Sequence, residues 1–163
     1  AITRYLRNSW LWDRIRVHGG AYGAFCLFDR LSGNLTFVSY RDPNLIKTLE
    51  IFDQSARFLH TVELGGKELT KAIIGAIGDI DAHMLPDAKG FVSMVRYLTN
   101  NTDEVRQKMR DEVLGTKKSD FRAFAEVLDQ VKEKGIAKVM GAGDVIRQAL
   151  GQGAKKPTIV KVL

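Results

Sequence analysis

Cysteine and long hydrophobic runs are both scarce in this sequence, and each scarcity excludes a class of protein. Cys26 is the only cysteine among 163 residues, so neither an intrachain disulfide nor a cysteine-based zinc cluster can form. A single thiol fits a reducing compartment best. No apolar stretch approaches the roughly 20 residues of a membrane-spanning helix, and residues 1–7 lack the apolar core of a secretory signal. We therefore expect no membrane insertion.

Histidine is also scarce, and its placement gives no local metal motif. His18, His60 and His83 are far apart in the sequence, and neither H-E-x-x-H nor H-x-x-E-H occurs. Asp79 and Asp81 lie close to His83, but at the end of a predicted helix, where capping and solvent exposure are the expected roles. The sequence predicts no metal bound by this chain.

Phosphate loops and nucleophilic sites are missing as well. The glycines around Gly19-Gly20 precede a strand and are not followed by Gly-Lys-Ser/Thr, and Gly141-Ala142-Gly143 lacks a third glycine. Ser39 and Cys26 have no histidine at a motif spacing, and Cys26 lies in an apolar strand that is typical of a core. Nucleotide binding and nucleophilic catalysis are therefore unsupported.

The composition is that of one folded domain. Hydrophobic residues make up 45% and charged residues 27% of the chain, with a net charge of +6, close to the globular average. The charge alone would suit a basic nucleic-acid-binding module. However, basic and acidic residues alternate, as in residues 106–112, and the longest basic runs are the pairs Lys117-Lys118 and Lys155-Lys156. This pattern indicates solvated helix surface, so we expect no nucleic-acid partner.

Hydrophobic periodicity predicts a helix, a hairpin, several helices and a strand. The first helix ends near Val17, before Gly19-Gly20, and the hairpin pairs residues 21–29 with residues 35–40. Apolar side chains lie on both faces of these strands, which suggests that helices or another domain cover them. Asp42 as N-cap and Pro43 as first residue begin the next helix, which reaches Leu59. Further elements are predicted in the following order: helices over 69–80, 91–98 and 105–113, a helix from the cap Ser119 to Gly135, a strand over 136–140, a short helix from 141–144 to Leu150, and a terminal strand or ordered tail over 158–163.

This order of elements favours an α+β fold over a strictly alternating one. We expect two layers, with a largely antiparallel sheet covered on one face by several helices. Residues 1–163 are predicted to form a single domain that is incomplete at its N-terminus, because Ala1 already lies inside a helical pattern.

Arg16 and Tyr22 form the strongest candidate site. They lie at the end of a helix and the start of a strand, and the turn at Gly19-Gly20 can bring both side chains to one rim. A guanidinium offers a planar fork of donors for carbonyl or carboxylate oxygens, and a tyrosine hydroxyl can donate to an oxyanion. From composition alone, a helix-end salt bridge for Arg16 and a core position for Tyr22 are the more frequent roles.

A family resemblance changes the weight of this pair. The stretch from Asn8 to Gly23, which contains Arg-x-x-Gly-Gly-Ala-Tyr at 16–22, resembles the last domain of presequence proteases, in the pitrilysin/insulinase superfamily. The resemblance covers nearly the whole chain. It continues through the following segments: 28–29, 39–45, 69–75, 78–81, 85–90 and 102–107.

The resemblance implies a much longer zinc metalloendopeptidase in which two bowl-like halves enclose unstructured peptides, such as cleaved organellar targeting presequences. Zinc and its H-x-x-E-H motif would belong to the N-terminal half, which would be this chain's partner. Arg16 and Tyr22 would bind the substrate backbone and stabilise the tetrahedral intermediate, with Gly19 and Gly20 as further substrate-binding residues. The implied location is the mitochondrial matrix, the chloroplast stroma or both.

Two expectations follow from what this chain does not contain. Without the zinc-binding half, the chain alone is predicted to hydrolyse nothing. The superfamily also includes non-catalytic scaffold subunits of respiratory complexes, and such a subunit is the main alternative. The presence of Arg16 and Tyr22 argues against it.

Overall fold

The computed structural model describes residues 1–151, Thr158 and Val160. A helix, α1 (Ile2–Leu6), continues into a π-helical segment (Arg7–Val17), and the hairpin β1 (Gly23–Phe28) and β2 (Leu35–Tyr40) follows. The remaining helices are α2 (Leu45–Asp53), α3 (Ser55–Thr61), α4 (Gly66–Ile80), α5 (Pro86–Leu98), α6 (Asp103–Leu114), α7 (Lys118–Lys134) and α8 (Gly143–Leu150). Helices packed on a small antiparallel sheet confirm the predicted α+β class.

The π-helical segment has wider turns than the sequence indicated. Its hydrogen bonds span five residues, as in the bond from the His18 amide to the Asp13 carbonyl at 3.0 Å. A wider turn lengthens the repeat of the buried face, and Leu6, Leu11 and Ile15 are each 0% exposed at spacings of five and four. The helix was predicted correctly, but its wider spacing was not.

The hairpin presents one covered face and one open face. Cys26 pairs with Phe37 in the antiparallel register, and Ala24 and Cys26 are buried beneath the helices. Phe25 and Leu27 point to the opposite face, as alternation along a strand requires, and are exposed. Burial by the described residues is therefore found at Ala24 and Cys26, and the predicted coverage of the other face by helices or by another domain stays a prediction.

The core joins the first helix to α3 and α7. Phe121, Ala125 and Leu128 face inward from α7, as their spacing predicted. The ring of Tyr5 meets Phe121 edge-on at 5.5 Å between centroids, a favourable aromatic arrangement. The other buried hydrophobic residues of this core are Leu6, Leu11, Ile15, Ala21, Ala24, Cys26, Ile51, Ala56, Leu59 and Leu64.

The helix predicted from Pro43 to Leu59 differs in two respects. It begins at Leu45, with Asn44 as the N-cap residue, so the prediction of Asp42 as N-cap was wrong. It is also divided at Gln54 into α2 and α3. The hydroxyl of the buried Ser55 donates to the carbonyl of Ile51 at 3.2 Å, and this type of back-bonding bends helices.

Asp42 serves the turn before α2 instead of the helix end itself. One carboxylate oxygen accepts the Asn44 amide at 2.9 Å and the other accepts the Thr48 hydroxyl at 2.6 Å. Thr48 is buried, so its bond to Asp42 satisfies a group that would otherwise be costly to bury. This carboxylate orders the chain between β2 and α2.

Two predictions near α7 were wrong. The cap of α7 is Lys117, whose amide donates to the Asp120 carboxylate at 2.7 Å, and not Ser119. Residues 136–140 form no strand, because no described strand lies beside them to pair with and Met140 is 96% exposed. The helix before α7, α6, is capped by Thr102, whose hydroxyl accepts the amide of Val105. The predicted element at 158–163 lies outside the described residues, apart from Thr158 and Val160.

The acidic residues near His83 form ion pairs within the chain. Asp79 binds Arg4, and Asp81 binds Arg110. The hydrogen bond from Arg110 lowers the pKa of Asp81. Both carboxylates therefore have cationic partners in the fold, and these contacts tie α4 to α1 and to α6.

Within the described residues, no helix combines the length and the apolar character that crossing a bilayer would require.

A tight turn connects the π-helical segment to β1. Gly20 has a φ of +77°, a conformation that glycine adopts without steric cost. The Ala21 amide returns to the Ile15 carbonyl at 3.1 Å and the Gly20 amide to the Arg16 carbonyl at 3.1 Å. A Cβ at Gly19 would collide with the Ile15 carbonyl oxygen. The turn therefore needs glycine at both positions, for different reasons.

Gly19→Ala is expected to destabilise the chain by about 2 kcal/mol, because the new methyl group must displace backbone and not a flexible side chain. Urea unfolding would measure the change. Gly66→Ala is the control, since no atom lies within 4 Å of a Cβ at that position, and we expect a change within about 0.5 kcal/mol. Equal effects of the two substitutions would contradict the assigned close contact.

Cys26 is expected to resist alkylation in the folded chain. Burial raises the pKa of its thiol to about 12, so at pH 8 the reactive thiolate is about a thousandfold rarer than in the unfolded chain. Labelling rates with and without denaturant would test this. Folding raises the pKa of this thiol, so ionisation of Cys26 does not lower the free energy of unfolding below about pH 8.5. As the pH rises from there towards 12, the thiol ionises in the unfolded chain first, and the free energy of unfolding falls. Equal labelling rates in both states would contradict the burial.

Candidate functional site

The predicted pair, Arg16 and Tyr22, lies at the two ends of the Gly19-Gly20 turn. Both side chains are exposed, and Tyr22 is 66% exposed. The interpretation of Tyr22 as a core residue is therefore wrong. No acid of the described residues forms a salt bridge with Arg16. Both polar groups thus remain available on the surface, and no hydrogen bond joins them to each other in the part of the chain that is described.

Arg16 is oriented by an aromatic neighbour on its own helical segment. Its guanidinium carbon lies 4.0 Å from the ring centroid of Trp12, well within the range of a cation–π interaction. The ring supports one face of the guanidinium and leaves the N–H groups at its edge free to donate. Trp12 is itself 47% exposed, so the pair forms a surface feature and not part of the core.

The helical segment that carries this pair is held firmly against α2 and α3. The indole of Trp10 donates to the Ile51 carbonyl at 3.0 Å, and its ring stacks on Phe58 at 4.9 Å. Ile15, next to Arg16, is fully buried. Arg16 therefore extends from a segment whose other side is packed into the core.

Tyr22 belongs to a cluster with Tyr40 and Arg41. The two tyrosine rings meet edge to face, with centroids 5.8 Å apart and an interplanar angle of 85°. The Arg41 guanidinium lies 5.9 Å from the Tyr22 ring and 5.4 Å from the Tyr40 ring. The Tyr22 amide donates to the Tyr40 carbonyl at 3.1 Å. Both the backbone and the ring of Tyr22 are thus positioned by the end of β2.

Gly19 and Gly20 use their backbone groups within the turn. The Gly19 carbonyl accepts a hydrogen bond from the side-chain amide of Asn44, and the Gly20 amide donates to Arg16. Asn44 therefore connects the turn to the start of α2. The structure gives both glycines a structural role, and their predicted contact with substrate stays a prediction.

Charge near the turn is mostly positive. Two acids with described partners lie near the turn. Asp13 lies 3.5 Å from Arg14 and 3.4 Å from His18, and the carboxylate of Asp42 accepts hydrogen bonds from Asn44 and Thr48. Arg16 and Arg41 have no carboxylate partner among the described residues. The surface around Tyr22 thus offers donors and positive charge, which suits a ligand with carbonyl or carboxylate oxygens.

Trp12, Tyr40 and Arg41 were not identified from the sequence. Tyr40 is the last residue of the second strand of the hairpin and Arg41 follows it, and only the antiparallel register places them beside Tyr22. The sequence did contain a signal for Trp12, because a residue four positions before Arg16 on one helix lies beside it on the helix surface. The sequence contained no such signal for Arg41, since an arginine after a strand is typical of a surface turn.

The described residues hold no group of three or more histidine, cysteine, aspartate or glutamate side chains that could bind a metal ion. His18 pairs with Asp13, and His60 lies 3.1 Å from Asp129 on α7. The donor set of this part of the chain therefore does not fit a zinc site.

Comparison with known proteins relates this geometry to a family. Residues 1–142 match the family model described as the PreP C-terminal domain. Presequence protease 1, chloroplastic/mitochondrial, of Arabidopsis thaliana is 50% identical over 148 residues, which are 91% of this chain and 14% of that protein. The mitochondrial presequence protease of Saccharomyces cerevisiae is 32% identical over 143 residues, 87% of this chain and 14% of that protein.

A bacterial relative extends the comparison. Protein HypA of Clostridium perfringens is 36% identical over 140 residues, 86% of this chain and 14% of that protein. The chain thus spans about a seventh of the length of the curated relatives it matches. The names of the eukaryotic relatives support the predicted mitochondrial or chloroplast location.

These matches cover most of the chain, including the turn with Arg16 and Tyr22, and several of the relatives are named proteases. The chain belongs to the family of the presequence protease C-terminal domain.

Proposed function

We propose that this chain acts as the C-terminal part of a zinc metalloendopeptidase that degrades unstructured peptides, such as cleaved organellar targeting presequences. In this proposal Arg16 and Tyr22 bind the substrate backbone and stabilise the tetrahedral intermediate. The supporting observation is that both side chains are exposed at one tight turn, each beside an aromatic partner, while the turn itself is attached to the core.

The chemistry of the two side chains suits these roles. A guanidinium presents several N–H donors in one plane, which matches the carbonyl oxygens of an extended peptide. A tyrosine hydroxyl donates one hydrogen bond, and a donor aimed at an oxygen that gains negative charge lowers the barrier most. A preorganised donor needs little reorganisation during the reaction, and the aromatic contacts at Trp12 and Tyr40 supply that order.

Zinc would be bound by another part of the protein, because the described residues of this chain do not form a ligand set. Catalytic donors from one part and a metal from another would couple the reaction to the approach of the two parts. The length of the relatives, of which this chain covers 14%, leaves ample sequence for the metal-binding half.

Tyr22→Phe in the full-length protein is expected to lower kcat about a hundredfold, because a donor to the oxyanion is lost while the ring remains. KM should change little, and steady-state cleavage of an unstructured peptide would measure both constants. Tyr97→Phe is the control, since Tyr97 lies on α5 and is 86% exposed. It removes the same hydroxyl from a site without a proposed role.

A full rate in the Tyr22→Phe variant would remove Tyr22 from the mechanism. A different outcome would overturn the whole proposal. If the full-length wild-type protein cleaved no peptide in the presence of zinc, the scaffold alternative would replace the proposed function. If the Tyr22 hydroxyl donates to the tetrahedral intermediate, Tyr22→Phe should lower kcat strongly and leave the unfolding temperature unchanged.

The chain alone is expected to hydrolyse no peptide, with or without added zinc. The physical reason is that the described residues hold no group of metal-binding side chains, and the proposal places the zinc and its general base in another part of the protein. Incubation of the purified chain with a fluorescent unstructured peptide would test this, with the full-length protein as positive control. Zinc-dependent cleavage by the chain alone, abolished by a chelator, would contradict the proposed division of roles.

A further inference from the structure

Arg41 has a backbone conformation that is uncommon for its residue type. Its φ is +48°, in the left-handed region where few residues other than glycine, asparagine and aspartate occur. Conformations of this kind persist only where the surrounding structure imposes them, and they cluster at binding and active sites. The contacts of the Arg41 side chain account for an arginine at this position.

The backbone on both sides of Arg41 is fixed by hydrogen bonds. Before it, the Tyr22 amide donates to the Tyr40 carbonyl at 3.1 Å and lies 3.4 Å from the Arg41 carbonyl. After it, the Asp42 carboxylate accepts the Asn44 amide, and the Asn44 side chain binds the Gly19 carbonyl. Arg41 therefore lies between two segments that are both hydrogen-bonded to residues in or next to the Gly19-Gly20 turn.

The Arg41 side chain faces two aromatic rings and no acid. Its guanidinium lies 5.9 Å from the Tyr22 ring centroid and 5.4 Å from that of Tyr40. No described carboxylate forms a salt bridge with it. Since Tyr22 is 66% exposed, few other groups restrict its ring. The Tyr40 ring, at 85° to the Tyr22 ring, and the guanidinium of Arg41 are the groups described beside it.

We propose that Arg41 is a positioning residue for Tyr22: its guanidinium, spanning the rings of Tyr22 and Tyr40, fixes the direction in which the Tyr22 hydroxyl points. This inference rests on the proposed function, in which that hydroxyl donates to the oxyanion. A donor displaced by a fraction of an ångström loses much of its effect on the rate. Arg41 acts through Tyr22 and does not contact the reacting atoms.

Arg41→Gln in the full-length protein is the primary test, with an unstructured fluorescent peptide as substrate. The variant loses the cation–π contacts, and we expect kcat to fall about fivefold with KM almost unchanged. Arg41→Lys keeps a cation beside the rings and should recover part of the loss. Arg30→Gln is the matched control, because it removes the same charge from the opposite end of the hairpin, roughly 20 Å away, and should leave both constants unchanged.

Arg41→Gly separates positioning from a purely structural role. Glycine adopts a positive φ without strain, so thermal stability should stay the same or rise, while kcat falls as in Arg41→Gln. If stability and kcat fell together in this variant, Arg41 would be a structural residue and the proposal would be overturned. A rise in KM at unchanged kcat would mean that Arg41 binds the substrate itself, which would also overturn it.

A double-mutant cycle distinguishes this inference from the proposed function. In a Tyr22→Phe background, Arg41→Gln should have little further effect, since the hydroxyl that it positions is gone. Additive losses would show that Arg41 acts independently of Tyr22 and would overturn the inference. If Tyr22→Phe alone kept the full rate, the proposed function would fail. If Tyr22→Phe slowed the reaction but Arg41→Gln did not, only the inference would fail.

Discussion

The close approach of the Gly19 backbone to the last turn of the first helical segment is the constraint on which the site depends. The Ile15 carbonyl accepts the Ala21 amide and leaves no room for a Cβ at Gly19, while the buried side chain of Ile15 anchors the same residue in the core. The turn is therefore attached to the core through Ile15. A residue at either end of such a turn has a defined direction, which a flexible loop could not provide.

The side chains near the turn are ordered mainly by aromatic contacts. Trp12 supports the guanidinium of Arg16, and Tyr40 meets the ring of Tyr22. Such contacts orient a side chain through its aromatic ring or through its guanidinium group, and they leave its O–H or N–H groups unpaired. A hydrogen bond to a protein acceptor would order the side chain equally well but would occupy the donor. This difference explains how a surface can be both ordered and ready to bind.

Much of the fold followed from periodicity, and the errors have physical causes. The inward face of α7, with Phe121 and Ala125, was readable because a helix of 17 residues repeats its pattern several times. The start of α2 was misplaced because Asp42 and Asn44 are both good cap residues. In the structure the Asp42 carboxylate binds the Asn44 amide and the Thr48 hydroxyl from the turn before the helix. The strand predicted over 136–140 failed because strand formation needs a partner, which local sequence does not specify.

The sequence by itself determined the helix-to-strand turn, its two glycines and the presence of Arg16 and Tyr22, because these features are local and resemble a family pattern. Tertiary structure alone decided which residues surround them. Tyr40 and Arg41 reach Tyr22 through the register of the hairpin, and Asn44 reaches Gly19 across 25 residues of chain. Contacts of this kind depend on how distant segments pack, and the physical preferences of a short stretch of residues do not contain that information.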